Sequence, residues 1–79
     1  MDNLSKYNNV FVEALGVDVS DLGPDFTNQT VDEWDSVGHM SLISLLEEEF
    51  DIMLEPEDLM LVTSYENGKK VLEKYDIKI

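Results

Sequence analysis

Between Ser36 and Phe50 the apolar residues Val37, Met40, Leu42, Ile43, Leu45, Leu46 and Phe50 recur at spacings of three and four, which is the periodicity of an amphipathic helix. Asp35 stands where an N-cap is needed and Ser36 at the first helical position, although a one-residue shift would make Ser36 the cap itself. An earlier segment, from about Asp2 or Asn3 to Leu15, places Leu4, Tyr7, Val10, Phe11, Ala14 and Leu15 on one broad face, and Gly16 is a plausible stop. A third helix is expected from Pro56, suited to a first helical position, to about Val62, with Glu57 and Asp58 favourable in its first turn. Ser64 could cap a last helix running through Tyr75 and turning Val71, Leu72 and Tyr75 inward, although Asn67-Gly68 blurs its beginning.

No stretch alternates as a strand would, so the pattern predicts an all-α fold: a four-helix bundle with a long first loop and a short third helix. That loop, from Val17 to about Glu33, contains Gly23-Pro24 and many turn residues. Connections of this length in compact domains are usually functional or pinned by their own apolar residues, here Val17, Leu22, Phe26 and Val31. With no repeat and no linker, residues 1–79 read as a single domain.

Charge narrows the range of partners. Eighteen acidic residues against five basic ones leave a net charge of −13, which excludes a nucleic-acid binder and favours proteins with basic patches. Like charge on every copy also argues for a monomer. The chain has no cysteine, so any thiol chemistry must come from something attached to it. MDNLSKYNNV lacks the basic and apolar regions of a signal peptide, and no apolar run reaches the length of a membrane span. The expectation is a cytoplasmic protein that does not insert in membranes.

Ser36 is the leading candidate for chemistry. A hydroxyl at the mouth of a helix sits among free N–H groups at the positive end of the helix dipole, where a phosphate-linked group is electrostatically favoured. His39, the only histidine, lies three residues on, but no further member of a catalytic triad is near it in sequence, so it reads as a surface residue of the same helix. Glu47-Glu48-Glu49 closes the helix with charges that oppose its dipole, at a cost of about 0.3–1 kcal/mol each. That pattern is either a partner-facing surface or simply a solvated helix face. Asp18, Asp21 and Asp25 lack calcium-loop spacing, Asn28-Gln29-Thr30 fits a glycosylation sequon without a secretory signal, and Lys69 and Lys70 read as surface residues.

The string Asp35-Ser36-Val37, followed by Met40, Leu42, Ile43, Leu46 and Glu47-Glu48-Glu49-Phe50, closely resembles the acyl carrier protein family, and the likeness in length, acidity and helix order extends over nearly the whole chain. The resemblance implies that Ser36 carries 4′-phosphopantetheine, attached from coenzyme A by a separate phosphopantetheinyl transferase. Acyl groups then travel as thioesters between loading and transfer enzymes, and the carrier itself is not an enzyme. It further implies that Asp35, Val37, Met40, Glu47 and Glu48 are the partner-binding positions. Three departures from the fatty-acid type stand out: Val37 replaces the usual leucine, and Gly38 and Ser41 occupy positions often acidic there. Trp34 and the Gly38-His39-Met40 run look more like stand-alone carriers of secondary pathways that build polysaccharide, polyketide-like or lipid products. The alternatives are a housekeeping fatty-acid carrier and an unmodified acidic adaptor of the same fold.

Overall fold

The structure is a computed structural model that describes residues 2–79. It contains α1 (Asn3–Leu15), a 3-10 turn (Val19–Asp21), α2 (Ser36–Phe50), α3 (Pro56–Leu59) and α4 (Tyr65–Glu73). The chain is thus all-α, with four helices and no strand among the described residues.

Local chemistry explains the boundaries. The Asp2 carboxylate accepts from Ser5 N–H at 2.8 Å and opens α1; Gly16, at φ +68°, closes it with its N–H on Val12 O, a left-handed conformation that glycine adopts without a Cβ penalty. Ser64 Oγ takes the N–H of Asn67 at 3.0 Å and starts α4. Beyond Pro56, α3 lasts one turn, shorter than the periodicity predicts, because the apolar run Leu59–Val62 divides: Val62 is buried while Met60 and Leu61 face outward. Likewise α4 ends at Glu73, so Tyr75 lies in the turn after the helix.

Helices α1 and α2 pack side by side and bring Tyr7, Phe11, Leu42 and Leu46 into the centre, where Val62 and Leu72 join them. Phe11 is the aromatic hub. Its ring lies 4.9 Å from Tyr7, 5.5 Å from Trp34, 5.5 Å from Tyr65 and 5.8 Å from Phe26, each time edge to face, the arrangement that aligns positive ring edges with negative faces. The Tyr7 hydroxyl donates to Tyr65 O at 2.6 Å, and burial pushes its phenol far above the ordinary tyrosine range. Gly68 permits this contact, since a Cβ there would fall 2.1 Å from the Tyr7 hydroxyl. Leu4, expected on the core face, is 43% exposed, and Phe50 is only partly buried.

The long loop is anchored as its apolar residues suggest. Phe26 is buried, and Val17, Leu22 and Val31 pack against the core. Backbone bonds add to this: Tyr65 N–H to Phe26 O and Asn28 N–H to Thr63 O, both 2.9 Å, bridge the loop to the start of α4.

A polar latch ties α3 to the turn after α4. The buried Asp58 carboxylate receives Lys74 Nζ and the Tyr75 hydroxyl, each at 2.6 Å, while that hydroxyl accepts Glu55 N–H at 2.9 Å. The hydrogen bond from Lys74, and then that from Tyr75, lowers the pKa of Asp58 below the usual carboxylate value of 3.8. A carboxylate whose folded pKa is depressed stabilises the fold above its unfolded pKa and loses that contribution as pH falls through the folded value. Urea midpoints measured at pH 6 and again below pH 3.8 are therefore expected to show Asp58→Asn less stable than the parent at pH 6, with the gap narrowing in acid; a gap independent of pH would refute the latch.

Candidate functional site

Ser36 is exposed at the first position of α2, and the geometry beneath it is tightly set. Asp35 is the N-cap: its Oδ1 accepts the N–H of Gly38 at 2.8 Å, and its carbonyl accepts that of His39 at 2.8 Å. The N–H groups of Ser36 and Val37 have no intrahelical acceptor at this end of a helix, so they remain to face an anion. Gly38 is buried where α2 meets the end of the loop; a Cβ there would lie 2.3 Å from Glu33 O and 2.9 Å from Leu15 Cδ2. This position cannot display an acidic side chain, which explains physically one departure from the fatty-acid pattern. Gly38→Ala is expected to destabilise the domain by about 1–3 kcal/mol, the usual cost of overpacking, and to displace the turn bearing Ser36. Denaturant unfolding checks the first effect and the amide chemical shifts of residues 35–39 the second.

Beside Ser36 lies an open groove of about 440 Å³, bounded by Trp34, Asp35 and His39 on one side and by Asn28, Met60, Val62 and Thr63 on the other. The two sides are clamped together through His39. Trp34 Nε1–H donates to His39 Nδ1 at 3.0 Å and the other ring nitrogen meets Leu59 O at 2.9 Å. An indole N–H can only donate, so Nδ1 is the acceptor and Nε2 carries the proton towards the carbonyl. His39 is therefore not the free surface residue its position suggests: it is partly buried, and both nitrogens are engaged in holding α3 against the start of α2. In this arrangement it has no lone pair available to take a proton from Ser36. Trp34 is buried at the end of the long loop.

The remaining positions implied by the resemblance separate into two groups. Val37 and Met40 are 76% and 62% exposed on the outer face of α2, with Glu48 also exposed. Glu47 is partly buried instead, and its Oε2 accepts Leu54 N–H at 2.9 Å, fastening the link between α2 and α3. Its charge thus has an internal use. Asp35 is exposed while also serving as the cap.

Most of the far wall of the groove is absent from any reading of the Ser36 neighbourhood because Met60, Val62 and Thr63 are distant in sequence. The available signal was Leu59-Met60-Leu61-Val62, four consecutive apolar residues that a one-turn helix cannot bury together. Asp18, Asp21 and Asp25 are exposed, and among the described residues no three carboxylate or imidazole groups gather to hold a metal ion. Among those residues, no helix is long and apolar enough to cross a membrane. Compared with known proteins, the chain matches no family model and no curated protein.

Proposed function

We propose that this chain is an acyl carrier whose Ser36 hydroxyl bears 4′-phosphopantetheine. The observation that carries the reading is Ser36 itself: a solvent-exposed hydroxyl at the first position of α2, beside an open groove, in an acidic all-α domain of four helices. The residues fit the group. Unpaired N–H groups of the first turn can face a phosphodiester, the Asp35 carboxylate is drawn back onto Gly38, and the groove offers the arm both amide and hydroxyl partners, Asn28 and Thr63, and the apolar Met60 and Val62. When bound, the group supplies the terminal thiol that a cysteine-free chain lacks.

The attachment chemistry belongs to another protein. Ser36 Oγ would form a bond to the phosphorus of the coenzyme A pyrophosphate that bears pantetheine, adenosine 3′,5′-bisphosphate would leave, and the hydroxyl proton would pass to a base. With His39 committed to Trp34 and Leu59, that base is assigned to a phosphopantetheinyl transferase. The face presented to such an enzyme, and to acyl-loading and acyl-transfer enzymes, is the exposed set Val37, Met40 and Glu48 with Asp35 at its edge: an apolar strip bordered by carboxylates, suited to partners with basic patches. Service in a secondary biosynthetic pathway is supported by the residues beside that surface, since the exposed Ser41 carries no charge, and the buried Gly38 no side chain, where fatty-acid carriers often place acids.

The test is intact-protein mass spectrometry after incubation with coenzyme A, magnesium and a broad-specificity phosphopantetheinyl transferase. A gain of one phosphopantetheinyl group supports the carrier; no gain in a folded sample favours the unmodified adaptor.

A further inference from the structure

A second groove, of about 290 Å³, runs between the segment after α3 and the outer face of α4. Met60, Leu61 and Val71 give it an apolar lining, and Lys70 and Lys74 contribute the charged part of its wall. It shares Met60 and Thr63 with the groove beside Ser36, so the two are neighbours on either side of the exposed Met60 side chain.

Its charge is opposite to that of the rest of the molecule. In a chain of net charge −13 with five lysines, two of the five border this groove and no carboxylate lines it. By contrast, Asp35 lines the groove at Ser36, and Asp21, Asp25, Asp32 and Glu33 line the one under the first loop. Lys74 is neutralised by Asp58 and Lys69 by Glu66, whereas Lys70 makes no ion pair among the described residues. A lysine in the last turn of α4 also suits the helix dipole. The dipole accounts for the sign of the charge there, but not for an apolar floor next to it or for its place beside the Ser36 groove.

Resting on the carrier reading above, we infer that this groove receives the far end of the group carried on the Ser36 arm, and that the group is a short acyl chain ending in a carboxylate. The methylenes lie on Met60, Leu61 and Val71, where apolar contact replaces water. The terminal carboxylate meets the Lys70 ammonium, Lys74 being held by Asp58. A purely aliphatic chain gains the first contact but not the second.

The test loads Ser36 enzymatically with two pantetheine analogues of similar length, one ending in an amide-linked glutaryl group and one in an amide-linked pentanoyl group. Mass spectrometry confirms loading, and two-dimensional amide NMR then reports where each arm rests. The glutaryl arm is expected to shift amides of residues 60–63 and 70–71. The pentanoyl arm is expected to occupy the groove about two- to fivefold less, the range an exposed ion pair supports. Lys70→Gln, or added salt, should bring the two arms level without altering the fold. If the arms load but leave these amides unmoved, or move them equally in the parent protein, the groove is not a carboxylate-reading site. If neither arm loads onto the folded protein, the carrier reading fails, and this inference fails with it.

Discussion

Ser36→Ala abolishes phosphopantetheinylation and leaves the fold intact: that is the expected result with the largest effect on function. The hydroxyl would be the acceptor, so its removal takes modification from complete to none. The fold should tolerate the change because Ser36 is exposed and the cap is made by Asp35. Alanine is at least as good a helix former as serine, and the change in stability should stay within about 0.5 kcal/mol. Parallel transferase reactions read by intact mass, with thermal melts of both proteins, check the two halves separately. An alanine variant that still gains the group would place the acceptor elsewhere. One that unfolds would make Ser36 a structural residue. The same variant separates a carrier from an adaptor, because an adaptor keeps its partner binding without the hydroxyl.

The second large effect is on stability. Phe11→Ala is expected to remove about 3–5 kcal/mol, the usual cost of truncating a fully buried aromatic ring. Phe11 is wholly buried and its ring meets those of Tyr7, Phe26, Trp34 and Tyr65. These four come from α1, the long loop, the residue before α2's cap, and α4, so the cavity would open at the point where all the parts converge. A domain of this size has roughly 4–12 kcal/mol of total stability, so the variant should lose a large share of it and unfold at a much lower urea concentration. Urea unfolding followed by far-ultraviolet circular dichroism measures this directly; a midpoint close to that of the parent would show that the aromatic hub can be refilled by its neighbours.

What could be read from the sequence and what could not divide along the range of the interaction. Helices α1 and α2 are legible because their apolar residues repeat with the helical period, and short-range signals mark the end of α1 at Gly16, the start of α2 at Asp35 and the start of α4 at Ser64. The exposure of Ser36 follows from the same local logic. The 3-10 turn at Val19–Asp21 and the bridge between Thr27 and Ser64 have no periodic signature, and the bridge joins residues far apart in the chain. Gly38 and Gly68 look in sequence like weak points of their helices, yet each sits where another part of the chain needs the space of a side chain. His39 and Glu47 look like solvent-facing polar residues; their partners, Leu59 O and Leu54 N–H, belong to the backbone, which every residue carries and no pattern marks. The wall of the Ser36 groove was hidden for the same reason, being supplied by Asn28, Met60 and Thr63 through tertiary packing.

The indole of Trp34 is the only one in the chain, and it is hydrogen-bonded to the ring that clamps α3 beside Ser36. The domain therefore carries its single tryptophan at the place where an arm would be attached, cargo would pass and a partner would dock. Excited at the red edge of indole absorption, beyond that of the three tyrosines, the unlabelled protein emits from one place, and changes in wavelength or lifetime report on the state of that clamp without any dye added to the surface that partners read.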